Sequence, residues 1–150
     1  MSYDSRIDTF EHIGVVNSYL KIVIKELLDR GILHDSTKLG GAEREAFDEA
    51  TPKLKNLTYG SDEYKENLDL IKDSVEQHYE DNSHHPEHYL NGIDGMNLID
   101  LIEMICDWKA ATLRHNDGNI YESLVINKER FKISDQLASI LKNTVLELGW

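Results

Sequence analysis

One cysteine, two prolines and sixteen basic side chains in 150 residues leave several classes of protein without material. Cys106 has no partner for an internal disulfide and cannot build a thiolate metal cluster. Lys and Arg are outnumbered by 28 Asp and Glu, a formal net charge of −12. Such a surface serves solubility and repels duplex nucleic acid and anionic membranes unless a local site reverses the field. No apolar run approaches the roughly 18 residues of a membrane span. The first residues, Met1 to Arg6, lack the apolar core of a signal peptide. The expectations are therefore no nucleic-acid duplex, no membrane and a cytoplasmic location. Strand-type alternation, internal repeats and low-complexity tracts are missing as well.

What is present suits one soluble domain. Hydrophobic residues make up 40% and charged ones 29%, and a chain of this size buries about two-thirds of its surface on folding without staples. The apolar positions Ile7, Phe10, Ile13, Val16, Leu20, Val23, Ile24 and Leu27 follow helical spacing, with Gly31 placed for a C-terminal cap. Ala42 to Ala50 reads as a short helix ended before Pro52, and Lys53 to Gly60 as a loop. Ser61 has the character of an N-cap for a helix that frays near Asp81-Asn82. Its residues Leu68, Ile71, Val75 and His78 share one face. Asn97 to Arg114 is the most apolar helix, offering Leu98, Leu101, Ile102, Ile105, Trp108 and Ala111 to a core. Helices over 120–132 and 134–148 complete an all-α fold of five to seven helices.

Seven histidines are present, and their placement carries more than their number. His84, His85 and His88 lie within five positions, His78 stands six residues upstream, and His34 directly precedes Asp35. His12 is on the first helix and Asp107 on the most apolar one. Imidazole and carboxylate donors together suit Mn, Fe, Co, Ni or Zn, whereas Ca or Mg would call for a nearly all-oxygen set. Each residue also has a plain reading. His12 fits a partly buried polar position, His78 a hydrogen-bonded core histidine, and Ser83 to His88 a polar surface loop. His115 at a helix C-terminus would offset the dipole. Asp107 is harder to place, because an unpaired carboxylate in so apolar a helix costs several kcal/mol to desolvate.

Taken in order, His12, His34-Asp35, His78, His84-His85 and Asp107 resemble the HD superfamily of metal-dependent phosphohydrolases. Lys38, three residues after Asp35, is similar to the lysine of the HD-GYP branch, as is the spacing of His78 and His84-His85. The likeness is closer still to small phage-associated HD-like proteins with a His-Asp-x-Ser/Thr-Lys run, a His-rich segment like Asn82 to His85, and a stretch like Glu103 to Trp108. It covers about His12 to Arg114. The Gly-Tyr-Pro signature is missing after His85, and Lys38 stands where the deoxynucleotide monophosphatases carry an acid.

The resemblance implies an HD-like helical bundle holding one or two divalent transition-metal ions. The metal ligands it implies are His12, His34, Asp35 and Asp107 for one ion, with His78 and His84 or His85 toward a second. It implies hydrolysis of a nucleotide or related phosphoester, in the host cytoplasm if the protein is phage-encoded. Lys38 would offset charge on the phosphoryl oxygens and His85 or His88 would protonate the leaving group. Glu103, one turn before Asp107, would either orient a metal ligand or cover the core's edge. Two other readings stand beside this one: a protein that sequesters a nucleotide without turnover, and a helical interaction protein with incidental histidines. The last helix, ending at Trp150, offers a surface for a homo-oligomer.

Overall fold

The computed structural model describes residues 3–58, 60–114 and 118–150; His115 therefore lies outside the described residues. Among the described residues there are seven α-helices, three short 3₁₀ turns and no strand. No described helix is long and apolar enough to cross a membrane. The chain divides into two units, Met1–His34 and Asp35–Trp150.

The first unit is α1 (Arg6–Leu33), a 28-residue helix that runs through Gly31 and ends at His34, whose backbone turns extended. Gly31 is thus a helical residue and not the cap, a tolerated cost of about 1 kcal/mol relative to alanine.

The second unit holds α2 (Gly41–Leu54), α3 (Asp62–Asp69), α4 (Lys72–Asp81), α5 (Leu98–Thr112), α6 (Ile120–Arg130) and α7 (Asp135–Glu147). Its core is built on α5. Met104, Ile105 and Trp108 pack with Ile120 of α6, Ile133, and Leu141 and Val145 of α7. Each such side chain, fully withdrawn from water, is worth about 1.5–3 kcal/mol. The core-facing stripe is narrower than the apolar pattern of α5, since Leu98 and Ile102 are exposed. α2 continues past Pro52 by two residues. Pro52 removes only one N–H near the helix end, and the Lys55 N–H still reaches the Thr51 carbonyl. The predicted helix from Ser61 to Asp81 is two helices, broken at Leu70-Ile71, where no Gly or Pro marks the change.

Local caps place these elements. The Ser61 hydroxyl accepts from the Tyr64 N–H, as its sequence context predicts. Asn97 and Asp100 form a reciprocal capping box at the start of α5. Asp100 is fully buried and does more than cap: its carboxylate also accepts from the Ser83 hydroxyl at 3.0 Å and the Tyr89 hydroxyl at 2.7 Å. One side chain thus pins the histidine-rich segment to α5. Gly95 completes the joint, because a Cβ there would fall 2.7 Å from the Tyr89 Cβ.

Candidate metal centre

Asp35 opens the second unit in a left-handed backbone conformation, φ 53° and ψ 19°. Few non-glycine residues adopt it, and such strain collects at functional positions. It directs the carboxylate toward α4 and the segment after it. Oδ1 lies 3.3 Å from His78 Nε2 and 3.5 Å from His84 Nε2. Oδ2 accepts from Lys38 Nζ at 2.8 Å, and the Lys38 ammonium rests 4.8 Å above the Phe47 ring. Lys38 therefore holds Asp35 as well as adding positive charge.

The helical steps of α4 bring His78 edge-on to the Phe47 ring and leave it 2% exposed. His84 is equally buried. The Nε2 atoms of His78 and His85 face each other at 2.9 Å. Asp35, His78, His84 and His85 each offer a ligand atom, and all four atoms lie within 4.8 Å of one another. Donors about 2.0–2.1 Å from one zinc-like ion stand about 2.9 Å apart in octahedral and 3.3 Å apart in tetrahedral geometry. The closest separations here, 2.9, 3.3 and 3.5 Å, fit the edges of such a shell.

The far sides of two rings are also engaged. His78 Nδ1 is 2.7 Å from Glu43 Oε1, and His84 Nδ1 is 3.2 Å from Glu103 Oε1. Both glutamate side chains are about nine-tenths withdrawn from solvent. Asn82 donates to the His78 carbonyl at 2.8 Å and to the Thr37 hydroxyl at 3.3 Å, tying α4 to the turn after Asp35. Burial pushes the His85 imidazole down to about 3, with His84 and His78 acting the same way and Asp107 opposing. His85 is thus neutral near pH 7, with a lone pair to offer a metal and no proton to give as an imidazolium.

These residues form one wall of a cavity of about 250 Å³. Asp35, Lys38, His78, His85 and Asp107 line it together with Trp108, Arg114 and Arg130. Asp107 is half-buried on this wall, and its charge reaches His85. His88 is exposed, its Nδ1 3.1 Å from the Tyr79 carbonyl, and it is not among the described residues that line the cavity. His12 lies on α1 and His34 caps it, both in the first unit.

Glu43 and Asp100 escaped the sequence reading. Nothing separates Glu43 from the other acids of α2 until the chain reverses at Gly40-Gly41 and brings it over His78. Asp100 carried a legible signal, since Asn97 followed by an acid three residues on is a capping pattern.

Nothing among curated proteins and nothing among solved structures matches the chain. A family does match, over residues 1–147, and the chain belongs to it: DUF5662, a family of unknown function.

Proposed function

We propose that the second unit carries a divalent transition-metal centre and that the protein is a metal-dependent phosphohydrolase of a nucleotide or related phosphoester. The observation that supports this most is the clustering of Asp35 Oδ1 with the imidazoles of His78, His84 and His85, of which Asp35, His78 and His85 line a cavity. Nitrogen-rich donor sets of this kind suit Mn, Fe, Co, Ni or Zn. Asp35, Glu43, Glu103 and Asp107 bring four carboxyl groups around the histidines, and a dication would offset their charge. The order of the histidines and aspartates along the chain, with its resemblance to the HD superfamily, supports the same reading.

A bound ion of this class would act as a Lewis acid and bring the pKa of water toward neutrality. The protein's own groups do the rest. Asp35 presents one oxygen to the centre while Lys38 fixes the other. The Lys38 ammonium, at the cavity wall, offsets charge gathering on phosphoryl oxygens. Arg114 and Arg130 add positive charge along the lining, against a chain whose overall charge repels anions. His85 serves as a ligand, its neutrality suiting that role better than proton donation to a leaving group. His12, His34 and Asp107 remain proposed further ligands, and His88 a proposed proton donor from the surface.

The test is a screen of nucleoside mono-, di- and cyclic phosphates with Mn, Co or Ni added, run on wild type and Asp35→Ala. Metal-dependent phosphate release or cleavage is expected, with activity and metal content both lost in the variant. Full activity in metal-replete Asp35→Ala would overturn the hydrolase reading. Tight nucleotide binding without turnover would establish the sequestering protein instead.

A further inference from the structure

We infer that Arg130 binds the anionic group of a phosphate monoester in the cavity, and that Glu87 occupies Arg130 as a built-in competitor which the ligand displaces. The inference rests on the reading of this cavity as the site of a phosphoester and adds how the anion is received. Arg130 is the last residue of α6, and Glu87 lies in the 3₁₀ turn Pro86–His88 directly after His85. Both line the cavity. Arg130 Nη2 donates to Glu87 Oε1 at 2.6 Å. A carboxylate and a phosphoryl group offer a guanidinium the same partner, a negatively charged oxygen. Glu87 thus stands in for the oxyanion of a ligand.

Arg130 is held in place without Glu87. Its guanidinium lies 4.7 Å over the Phe131 ring. Phe131 in turn stacks on Trp108 of the core, the ring planes 8° apart and the centroids separated by 6.1 Å. The same Nη2 donates to the Tyr79 hydroxyl at 3.4 Å, and the Tyr79 ring packs 4.9 Å from that of His85. The guanidinium is therefore one aromatic ring away from the proposed metal centre, on the same cavity. The contact with Glu87 is the weaker attachment. The Arg130 and Glu87 side chains are 42% and 27% exposed, and an ion pair so open to water contributes little. A monoanionic ligand gains nothing by exchanging with Glu87. A phosphate monoester, with a charge of about −1.5 to −2 at pH 7 and three acceptor oxygens, does gain.

The experiment measures the affinity of full-length protein for AMP, cyclic AMP and adenosine by calorimetric titration. Wild type is compared with Glu87→Gln, Arg130→Gln and the double variant, each checked by circular dichroism. Glu87→Gln should bind AMP about 2–5-fold more tightly, the factor by which an ion pair of this exposure holds back a competing ligand. Arg130→Gln should lose about 10-fold or more toward AMP and less toward cyclic AMP, with adenosine unaffected by either change. In the double variant the gain from Glu87→Gln should vanish, because the competitor acts only through Arg130. An ion pair that merely braces the fold would make both single variants weaker together. Unchanged or weaker AMP binding in Glu87→Gln, wild-type AMP affinity in Arg130→Gln, or no AMP binding by wild type would overturn the inference. Should Arg130→Gln fail to fold, Arg130→Lys keeps the charge without the planar fork, and undiminished AMP affinity there overturns the inference equally. The expected pattern of affinities without phosphate release under any added metal would leave the inference standing and overturn the hydrolase reading. Phosphate release that neither variant alters would do the reverse.

Discussion

Replacing His78 with alanine removes the side chain on which the centre converges. His78 is 2% exposed; its Nε2 faces Asp35 and His85, and its Nδ1 faces Glu43. In metal-free protein, His78→Ala removes the ring that Asn82 bonds and opens a void beside Phe47. Truncating a buried aromatic ring to alanine costs about 3–5 kcal/mol. For a chain of this length each kcal/mol lowers Tm by about 2–4 °C, so a fall of roughly 6–20 °C is expected. The assay is urea and thermal unfolding in a chelator, with Gln77→Ala as the control on the exposed side of α4. That control should stay within about 0.5 kcal/mol of wild type. Repeating the measurement with zinc should widen the gap, because ligand binding adds about 4 kcal/mol at a thousand-fold excess over Kd and the variant forfeits most of it. A loss below about 1 kcal/mol in chelator, unchanged by zinc, would refute the placement of His78 at the hub.

Asp100→Ala should cost about 2–4 kcal/mol, since it strips a helix cap and leaves the Ser83 and Tyr89 hydroxyls without their buried acceptor; chemical denaturation measures it, and zinc affinity should fall with it because the segment carrying His84 and His85 is released. Gly95→Ala should destabilise by about 1–3 kcal/mol, the added methyl meeting Tyr89, which a thermal scan would register. The metal-free protein should weaken as pH falls. His85 sits at about 3 when folded against an ordinary 6.5, so the unfolded chain takes up the proton first. Its contribution is fully present above pH 6.5 and is lost as pH falls toward 3, with a slope of up to about 1.4 kcal/mol per pH unit that His85→Gln should flatten.

Much of the fold was legible because periodicity and caps are local. The steps from Leu68 to His78 placed His78 on a buried face, and Ser61 marked a helix start that the structure keeps. Gly31 and Pro52 misled as stop signals, because a lone glycine costs little in a long helix and a proline near a helix end sacrifices one hydrogen bond. The break at Leu70-Ile71 had no signal. Within the candidate site, Asp35, Lys38, His78, His84 and His85 stood out by residue type and spacing. Of the carboxylates beside them, Glu103 did as well and Glu43 did not, since Glu43 reaches His78 only after the chain reverses at Gly40-Gly41. The left-handed backbone at Asp35 was likewise invisible, being imposed by the turn that ends at Gly40.

The most direct measurement is the metal content of protein purified without chelator or nickel resin, followed by dialysis against Zn, Mn, Co, Fe and Ni in turn. A stoichiometric transition-metal ion is the expected result, absent from a His78→Ala/His84→Ala variant that keeps its helical circular dichroism. Wild-type protein that carries no metal and takes up none of the five ions would contradict the metal centre.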